Sequence, residues 1–482
     1  MNQFKKYFSI LALGCASLAY SQASAVSSIP QFIEQPGLAK DFSAEKSLLS
    51  PKENIDLNIQ RMFSDPVLRT AEWGFVVYDP KTNKIITSYN ENAPLVPAST
   101  TKLLTTETAY SLLGGKFRWN TQLEYSGMID ENGVLEGNLY VIGSGDPSLG
   151  TRKAGTASYT DIVNQFVTDL KAKGIKSVKG DIIVQTAVFK QGIKDLPANI
   201  VWVEHNNYYL PAGTTQEINP RNEKIIVKSN NPFNNERRYF YISPYNKKMV
   251  YADKYEGKWV TTKVADAPSF LANTLKTSLS KNAIAVTGAV STRTVDREPE
   301  LREFVSNYQS PTLTEIVYDI NQRSDNALSE ALLKTVGFQK EGDYTTDAGK
   351  LVVTKNLTDK SFDTNGFNYV DGSGLSRSHT VTPMAQVKFL TKLMKEPYYQ
   401  DFFNSLPIAG QTGTLKRMFL YNSNGQIFAK TGTLNRVKTL AGYIKTRTGK
   451  TLAFSLLINN YSGSVDQVKN RMEQLLDPTL DL

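Results

Sequence analysis

The sequence predicts an α/β (α+β) protein in which helices cover one antiparallel sheet built from both ends of the chain. Residues 74–89 read as a β hairpin and residues 427–459 as three further strands, and an amphipathic helix lies next to each set. Between them, in residues 118–298, short alternating strands are joined by segments rich in Gly, Ser, Asn and Pro. This middle stretch predicts one or two inserted β-rich accessory domains.

The first 25 residues read as an export signal. Lys5 and Lys6 form a basic start, residues 10–18 form a short apolar core, and Ala23-Ser24-Ala25 offers a small-residue cleavage site. We expect cleavage after Ala25 and a mature protein in the periplasm or on the outer face of the cytoplasmic membrane. Attachment of a lipid at Cys15 is the alternative.

Composition excludes several kinds of chemistry. The one cysteine, Cys15, falls in the signal, so the processed chain has no thiol for a disulfide, a metal site or a nucleophile. No His-x-x-Glu-His spacing is present, and we expect no metal and no cofactor. Loss of Lys5 and Lys6 lowers the net charge from +9 to +7, which suits an acidic wall polymer or peripheral contact with a membrane surface and does not indicate nucleic acid.

The elements of the N-terminal part follow in chain order. Residues 26–50 are rich in Ser, Ala and Pro and predict an N-terminal extension. Apolar spacing predicts a first helix over residues 54–63, and the strands 74–78 and 84–89 form the hairpin. Pro97 then suits the entry to a helix, since no Gly or Pro occurs in residues 98–113.

The remaining elements are predicted from alternation and helical spacing. In the middle, we expect two helices and five strands: 159–173 and 269–279 for the helices, and 138–142, 180–185, 224–228, 238–242 and 258–263 for the strands. Near the C-terminus, we expect three strands and a closing helix: 427–431, 439–445, 451–459 and 465–476.

Ser99 and Lys102 place a hydroxyl and an amine three residues apart at the start of a predicted helix, where they share one face. The free backbone N–H of Ser99 could then bind a developing oxyanion. A Ser-His-Asp arrangement is not plausible, because only His205 and His379 exist and neither sits in a known signature. A lysine can serve as the base if burial and a nearby positive charge, here that of Lys430, lower its pKa.

Ser324-Asp325-Asn326 is the second part of the predicted site. Alone, it reads equally as the N-cap of a helix running through Ala331. Following Ser-x-x-Lys in the chain, it predicts that Lys102 deprotonates Ser99, that Ser324 relays a proton toward the leaving amine, and that Asn326 orients the substrate amide.

Lys430-Thr431-Gly432-Thr433 is the third part, and alone it could be a strand that runs into a turn. Within the set, Lys430 and the hydroxyls of Thr431 and Thr433 suit a terminal carboxylate. Gly432 would allow the substrate backbone to approach closely. The backbone N–H of Thr433 would join that of Ser99 in an oxyanion hole.

With these motifs, the chain resembles the low-molecular-mass class C penicillin-binding proteins, the D-alanyl-D-alanine carboxypeptidase/endopeptidases of peptidase family S13. The likeness extends to three further stretches: Gly143-Ser144-Gly145-Asp146-Pro147-Ser148-Leu149, Asp371-Gly372-Ser373-Gly374-Leu375-Ser376-Arg377 and Leu406-Pro407-Ile408-Ala409-Gly410. It implies a β-lactamase/DD-peptidase-like fold with two accessory domains inserted between the Ser-x-x-Lys and Ser-x-Asn elements. The expected division is 26–117 and 299–482 for the transpeptidase-like domain and 118–298 for the insertion.

The resemblance also implies a reaction. Ser99 would form an acyl-enzyme with the penultimate D-alanine of a peptidoglycan stem peptide or cross-bridge, and water would release it. β-Lactam antibiotics would acylate the same serine and act as covalent inhibitors.

Two other functions remain open at this point. A serine β-lactamase would use the same motifs, and Arg297-Glu298-Pro299-Glu300-Leu301 resembles the segment with the deacylating glutamate of class A enzymes. Here that segment precedes Ser324-Asp325-Asn326 and has Arg302 where Asn is expected, so we interpret it as a domain junction. A non-catalytic wall-binding protein is the second alternative, against which the complete set of reactive residues argues.

Overall fold

The computed structural model describes residues 49–150, 153–185, 267–293 and 300–482, with five short strand segments between residues 202 and 263. The predicted signal, its cleavage site, Cys15 and the predicted strand 224–228 lie outside the described residues.

The helices and strands have the following bounds. The α-helices are α1 Pro51–Met62, α2 Lys102–Leu113, α3 Tyr159–Ala172, α4 Ala267–Lys281, α5 Leu313–Arg323, α6 Asn326–Glu341, α7 Thr346–Asp359, α8 Pro383–Leu393, α9 Tyr399–Ser405 and α10 Val465–Leu476. The first strands are β1 Glu72–Asp79, β2 Lys84–Tyr89, β3 Asn120–Tyr125, β4 Met128–Ile129, β5 Val134–Glu136, β6 Leu139–Gly143, β7 Ser177–Val178, β8 Ile182–Gln185, β9 Trp202–Glu204 and β10 Asn207–Tyr209. The others are β11 Tyr239–Tyr241, β12 Met249–Tyr251, β13 Thr261–Lys263, β14 Ala285–Val286, β15 Val290–Arg293, β16 Glu303–Gln309, β17 Ile427–Leu434, β18 Val437–Lys445 and β19 Thr451–Asn459.

One antiparallel sheet joins the two ends of the described chain. Its strand order is β17-β18-β19-β1-β2, so the first strand of the chain pairs with the last. Phe75 lies opposite Leu456, and Tyr78 lies opposite Ala453. The predicted fold class, a sheet drawn from both chain ends and covered by helices, is therefore confirmed.

Both faces of the inner strands β18, β19 and β1 are buried, which explains why their sequences are largely apolar. Phe75 and Val77 point into a core shared with α1 and α10, whereas Val76 and Tyr78 point into a second core shared with α2 and with α5 to α8. Successive side chains of a strand point to opposite faces, so a strand that is covered on both faces is apolar at most positions.

The middle of the described chain contains separate sheets. One has the strand order β15-β8-β6-β3-β16, and helices α3 and α4 pack on its core. The predicted helices and the strands near 139–143 and 182–185 are present. β3 and β16 were not predicted, and they pair antiparallel where the chain enters and leaves this region. The domain boundaries proposed at residues 118 and 298 stay predictions.

Candidate active site

Ser99 lies in a tight turn between the main sheet and α2. Residues Ala98–Thr101 form a 3₁₀ turn, and α2 begins only at Lys102. Ala98 has a φ of 47°, which is uncommon for a residue with a side chain. The Ser99 residue is only 9% exposed. Because it stands in the first turn, its N–H has no intrahelical acceptor, as the sequence predicts.

Lys102 is fully buried one turn further on, and it joins three parts of the site. Its Nζ lies 3.1 Å from Ser99 Oγ, 2.7 Å from Asn326 Oδ1 and 2.6 Å from the carbonyl oxygen of Ser373. A neutral amine has two N–H donors and one lone pair. If Asn326 and Ser373 accept the two N–H bonds, the lone pair is left to accept the proton of Ser99.

The joint between α5 and α6 presents the second motif to Lys102. Ser324 ends α5 in the left-handed conformation, with φ 58° and ψ 42°. Asp325 caps α6 by accepting a hydrogen bond from the N–H of Leu328 at 2.9 Å. The interpretation of this motif as a helix cap thus holds for Asp325, while its neighbours Ser324 and Asn326 contact the lysines of the site.

The third motif lies on β17, at an edge of the main sheet. Lys430 is fully buried and donates to Ser324 Oγ at 2.8 Å and to the Thr431 carbonyl at 2.9 Å. Thr431 Oγ1 donates to Thr414 Oγ1 at 2.7 Å or accepts from it. The structure therefore brings Ser99, Lys102 and the other two motifs together around one cleft. The catalytic and binding roles assigned to these residues remain predictions.

Gly432 allows β17 to lie against the turn that carries Ser99. A Cβ atom at this position would lie 2.1 Å from Thr439 Oγ1, 2.8 Å from the Pro97 carbonyl oxygen and 2.9 Å from the Cβ of Ala98. Real Cβ atoms essentially never approach a non-bonded heavy atom to within 3.0 Å, so a side chain here would force the neighbouring atoms to move. The sequence predicts space for a substrate backbone here, and the structure shows that the space is needed for the protein's own backbone.

Two buried lysines, Lys430 and Lys438, lie at this edge of the site. Burial lowers the pKa of Lys430 well below its usual value, and the nearby charges of Lys102 and then Lys438 lower it further. Within the described residues, neither Lys430 nor Lys438 forms an ion pair with a carboxylate. Buried cations without a counter-charge favour the binding of an anion.

The loop that supplies the Ser373 carbonyl is held by two buried carboxylates, and sequence reasoning gave neither of them a role. Glu330 accepts hydrogen bonds from the N–H groups of Gly372 and Ser373 at 3.1 and 2.9 Å. Asp371 Oδ1 accepts from the N–H of Gly374 at 2.6 Å. The resemblance of residues 371–377 to the family was the sequence signal for this loop. That resemblance does not show which atom of the loop contacts Lys102.

These two carboxyl groups differ in their ionisation. Burial and the adjacent charge of Asp371 raise the pKa of Glu330 to about 7. Burial also acts to raise the pKa of Asp371, but His379 and the N–H groups of Ser376 and Gly374 stabilise its charged form and lower its pKa to about 2.

His379 takes part in this loop and not in a Ser-His-Asp triad. Its Nε2 lies 3.0 Å from Asp371 Oδ1, and the ring is buried. His205 and Glu298 lie outside the described residues. Glu300 pairs with Arg293 of β15 at 3.7 Å.

Comparison with known proteins supports the same assignment. Residues 55–235 and 248–479 match the family model described as the D-Ala-D-Ala carboxypeptidase 3 (S13) family. A D-alanyl-D-alanine carboxypeptidase of Actinomadura sp. is 27% identical over 446 residues, covering 84% of this chain and 81% of the relative. The D-alanyl-D-alanine carboxypeptidase DacB of Haemophilus influenzae is 26% identical over 427 residues, covering 81% of this chain and 85% of the relative.

A solved structure shares the fold. The crystal structure of penicillin binding protein 4 (dacB) from Haemophilus influenzae superposes with a TM-score of 0.62 at 23% identity, covering 89% of this chain and 98% of that one. The predicted family is therefore confirmed: the chain belongs to the D-Ala-D-Ala carboxypeptidase 3 (S13) family.

Proposed function

We propose that the protein is an exported, penicillin-sensitive serine DD-peptidase. It hydrolyses D-Ala-D-Ala bonds, D-Ala-diaminopimelate bonds or both in peptidoglycan, through an acyl-enzyme on Ser99. The observation that carries the proposal is the position of the buried Lys102 amine, 3.1 Å from Ser99 Oγ and 2.7 Å from Asn326 Oδ1. An amine so placed can act as the base for this hydroxyl, which has no histidine partner in the described part of the chain.

Acylation begins with the proton of Ser99. It passes to Lys102 Nζ as Ser99 Oγ forms a bond to the carbonyl carbon of the penultimate D-alanine. The N–H groups of Ser99 and Thr433 receive the negative charge that develops on the carbonyl oxygen. Asn326 uses Oδ1 to accept from Lys102, so its Nδ2 is the donor that orients the substrate amide.

The leaving amine needs a proton when the C–N bond breaks. Ser324 donates this proton and is resupplied from protonated Lys102, which returns the lysine to its neutral form. Lys430 orients Ser324 by donating to its Oγ at 2.8 Å. Water then attacks the acyl-enzyme and gives a proton to Lys102, and the acid product leaves as Ser99 recovers its own proton.

The charge of the cleft supports a substrate that ends in a carboxylate. Lys430 is fully buried and forms no ion pair among the described residues. A terminal D-alanine would supply the missing negative charge and would accept hydrogen bonds from Lys430, Thr431 and Thr433.

Purified muropeptides test this proposal. After incubation with the mature protein, mass spectrometry should show the loss of one D-alanine from pentapeptides, the splitting of cross-linked dimers, or both, and the Ser99→Ala protein should produce neither. Nitrocefin provides the matched comparison with a β-lactamase. One equivalent hydrolysed per protein supports the peptidase, whereas rapid continuous turnover, or unchanged muropeptides, refutes it.

The export step rests on the basic and apolar pattern of residues 1–25. The mass of the protein recovered from the producing cell should correspond to a chain that begins at Val26. A mass increased by a lipid at Cys15 would instead support attachment to a membrane.

A further inference from the structure

Lys438 is a third buried lysine near the cleft, and the mechanism above does not use it. It lies on β18 directly opposite Thr433 of β17, and its Nζ donates to Thr433 Oγ1 at 2.6 Å. The residue is only 6% exposed, and in the part of the chain that the structure describes it has no carboxylate partner.

Burial of a charged lysine side chain at position 438 costs free energy of folding. β18 is otherwise apolar on this face, where Leu440 and Ile444 enter the core shared with α10. Burial, together with the positive charge of Lys469 on α10, lowers the pKa of Lys438 to about 8. An unpaired buried charge destabilises a fold, so a bound anion is the natural source of compensation.

Lys438 and Lys430 approach the same sheet edge from opposite faces. Side chains alternate along a strand, so Lys430 and Gly432 share the face of the Ser99 turn, while Thr433 and its partner Lys438 occupy the other face. The two lysines are close enough for the charge of Lys438 to lower the pKa of Lys430. An anion at this edge would therefore interact with both cations.

The Thr433 hydroxyl connects Lys438 to the cleft. A hydroxyl has one donor hydrogen and two acceptor lone pairs. Because Thr433 Oγ1 accepts from Lys438, its own hydrogen is free to be donated to a ligand. Thr433 is exposed to solvent, so a ligand can reach it, and donation from a hydroxyl that is polarised by a cation is stronger than donation from an isolated one.

We propose that Lys438 is a positioning residue that determines specificity for the terminal carboxylate of the substrate, and that it acts through the Thr433 hydroxyl. The proposal rests on the proposed function, because that function supplies the carboxylate. In this proposal, Lys438 is a second cation that assists carboxylate recognition in addition to Lys430. Lys438 orients and polarises the Thr433 hydroxyl and does not itself contact the substrate.

A comparison of two substrates tests this role. An N-acylated peptide ending in D-Ala-D-Ala and the same peptide with a C-terminal amide are hydrolysed by the wild type and by the Lys438→Met protein, and kcat and KM are measured separately. For the carboxylate substrate, we expect Lys438→Met to lower kcat/KM about tenfold, mainly through KM, as the loss of one charge-assisted hydrogen bond would. For the amide, the two proteins should agree within about twofold.

Three further proteins complete the experiment. Lys388→Met removes a lysine from an exposed position on α8 and should leave both substrates unaffected. Lys438→Gln retains polarity without charge, and it is compared on the same substrates so that misfolding of one variant does not decide the result. In a Thr433→Val background, Lys438→Met should have no further effect on the carboxylate substrate, since the connecting hydroxyl is gone.

Each remaining outcome is decisive. Equal losses on both substrates, or a loss on neither, would overturn the role of Lys438 in carboxylate recognition. Failure of the proposed function is distinguishable, because the wild type would then leave both peptides and the purified muropeptides unchanged. In that case the inference falls with the function on which it rests.

Discussion

At the scale of single residues, the proposed reaction of Ser99 depends on the position of Lys102. Its amine is buried, and two acceptors, Asn326 Oδ1 and the Ser373 carbonyl oxygen, lie 2.7 and 2.6 Å from it. These acceptors fix the direction of the remaining lone pair. In the proposed mechanism, the lysine takes the place both of the histidine that accepts the proton and of the aspartate that orients it in a Ser-His-Asp triad.

Replacing Lys102 by Met should therefore abolish acylation while preserving the fold, because Met fills a similar apolar volume. We expect the rate of labelling by a fluorescent penicillin to fall by about 10²- to 10⁴-fold, the usual contribution of a general base. Lys116→Met, at an exposed position just after α2, is the control and should label at the wild-type rate. Labelling of Lys102→Met at that same rate would exclude Lys102 as the base.

Glu330 should affect stability through its ionisation. Its pKa is raised from the ordinary value of 4.5 to about 7, so the folded protein binds a proton more tightly than the unfolded chain does. The stabilisation is complete below about pH 4.5 and is lost as the pH rises toward 7. In Glu330→Gln, this part of the pH dependence should disappear from denaturant unfolding measured across that range.

The same variant also changes a hydrogen bond. The Gln amide nitrogen cannot accept from the N–H of Gly372 or Ser373, so one buried donor loses its partner, at about 1–3 kcal/mol. Glu341→Gln is the control, at an exposed position on the same helix. An unchanged pH slope in Glu330→Gln would contradict the assignment.

At the scale of elements, the site depends on how closely one strand approaches one turn. β17 lies against the Ser99 turn at Gly432, where a Cβ atom would be 2.8 Å from the backbone oxygen of Pro97. The Gly432→Ala protein should fold with the turn displaced, and penicillin labelling should slow by about 10²-fold, as expected for a misplacement near 1 Å. Gly143→Ala is the control, because its Cβ would lie 3.7 Å from its nearest neighbour, the backbone oxygen of Gln185, which is an ordinary van der Waals contact. An unimpaired Gly432→Ala protein would show that the close approach is not needed.

The sequence predicts these elements well where the apolar pattern is strong. The strands at 427–459 and the closing helix α10 match because both faces of the sheet, and one face of the helix, are buried. At Ser99 the sequence predicts a helix, whereas the structure has a 3₁₀ turn with a positive φ at Ala98. Ala98 lies against Gly374 and Gly432, which are distant in the sequence, so local spacing does not reveal these neighbours.

The candidate site, like the fold, could be predicted from the sequence only in part. Ser-x-x-Lys, Ser-x-Asn and Lys-Thr-Gly are visible in the sequence, since each is a short run of chemically suited residues. The Ser373 carbonyl, Glu330 and Lys438 were missed. A backbone acceptor carries no side-chain signal, and a single Glu or Lys in a helix or strand reads as a surface residue until its burial is known.

At the scale of the whole molecule, the two ends of the described chain stabilise each other beneath the active-site sheet. Ile55 and Ile59 of α1 pack in the same core as Met472 and Leu475 of α10. The sheet that carries Lys430 is covered on one face by this core. Its stability therefore depends on contacts between segments more than four hundred residues apart.

A cavity in this shared core should destabilise the whole sheet. Met472→Ala removes a fully buried side chain and should lower the free energy of unfolding by about 2–5 kcal/mol. Gln474→Ala, at an exposed position of α10, should change it by less than about 0.5 kcal/mol. Chemical denaturation measures both, and equal stability of the two variants would show that the ends of the chain do not share a core.

The central claim is that Ser99, activated by the buried Lys102, is the residue that becomes acylated. The most direct measurement is the intact mass of the protein after incubation with benzylpenicillin, followed by peptide mapping of the adduct. We predict one penicilloyl group per chain, located on the peptide that contains Ser99, and no added mass on the Ser99→Ala protein. An adduct on another residue, or equal modification of both proteins, would contradict the account.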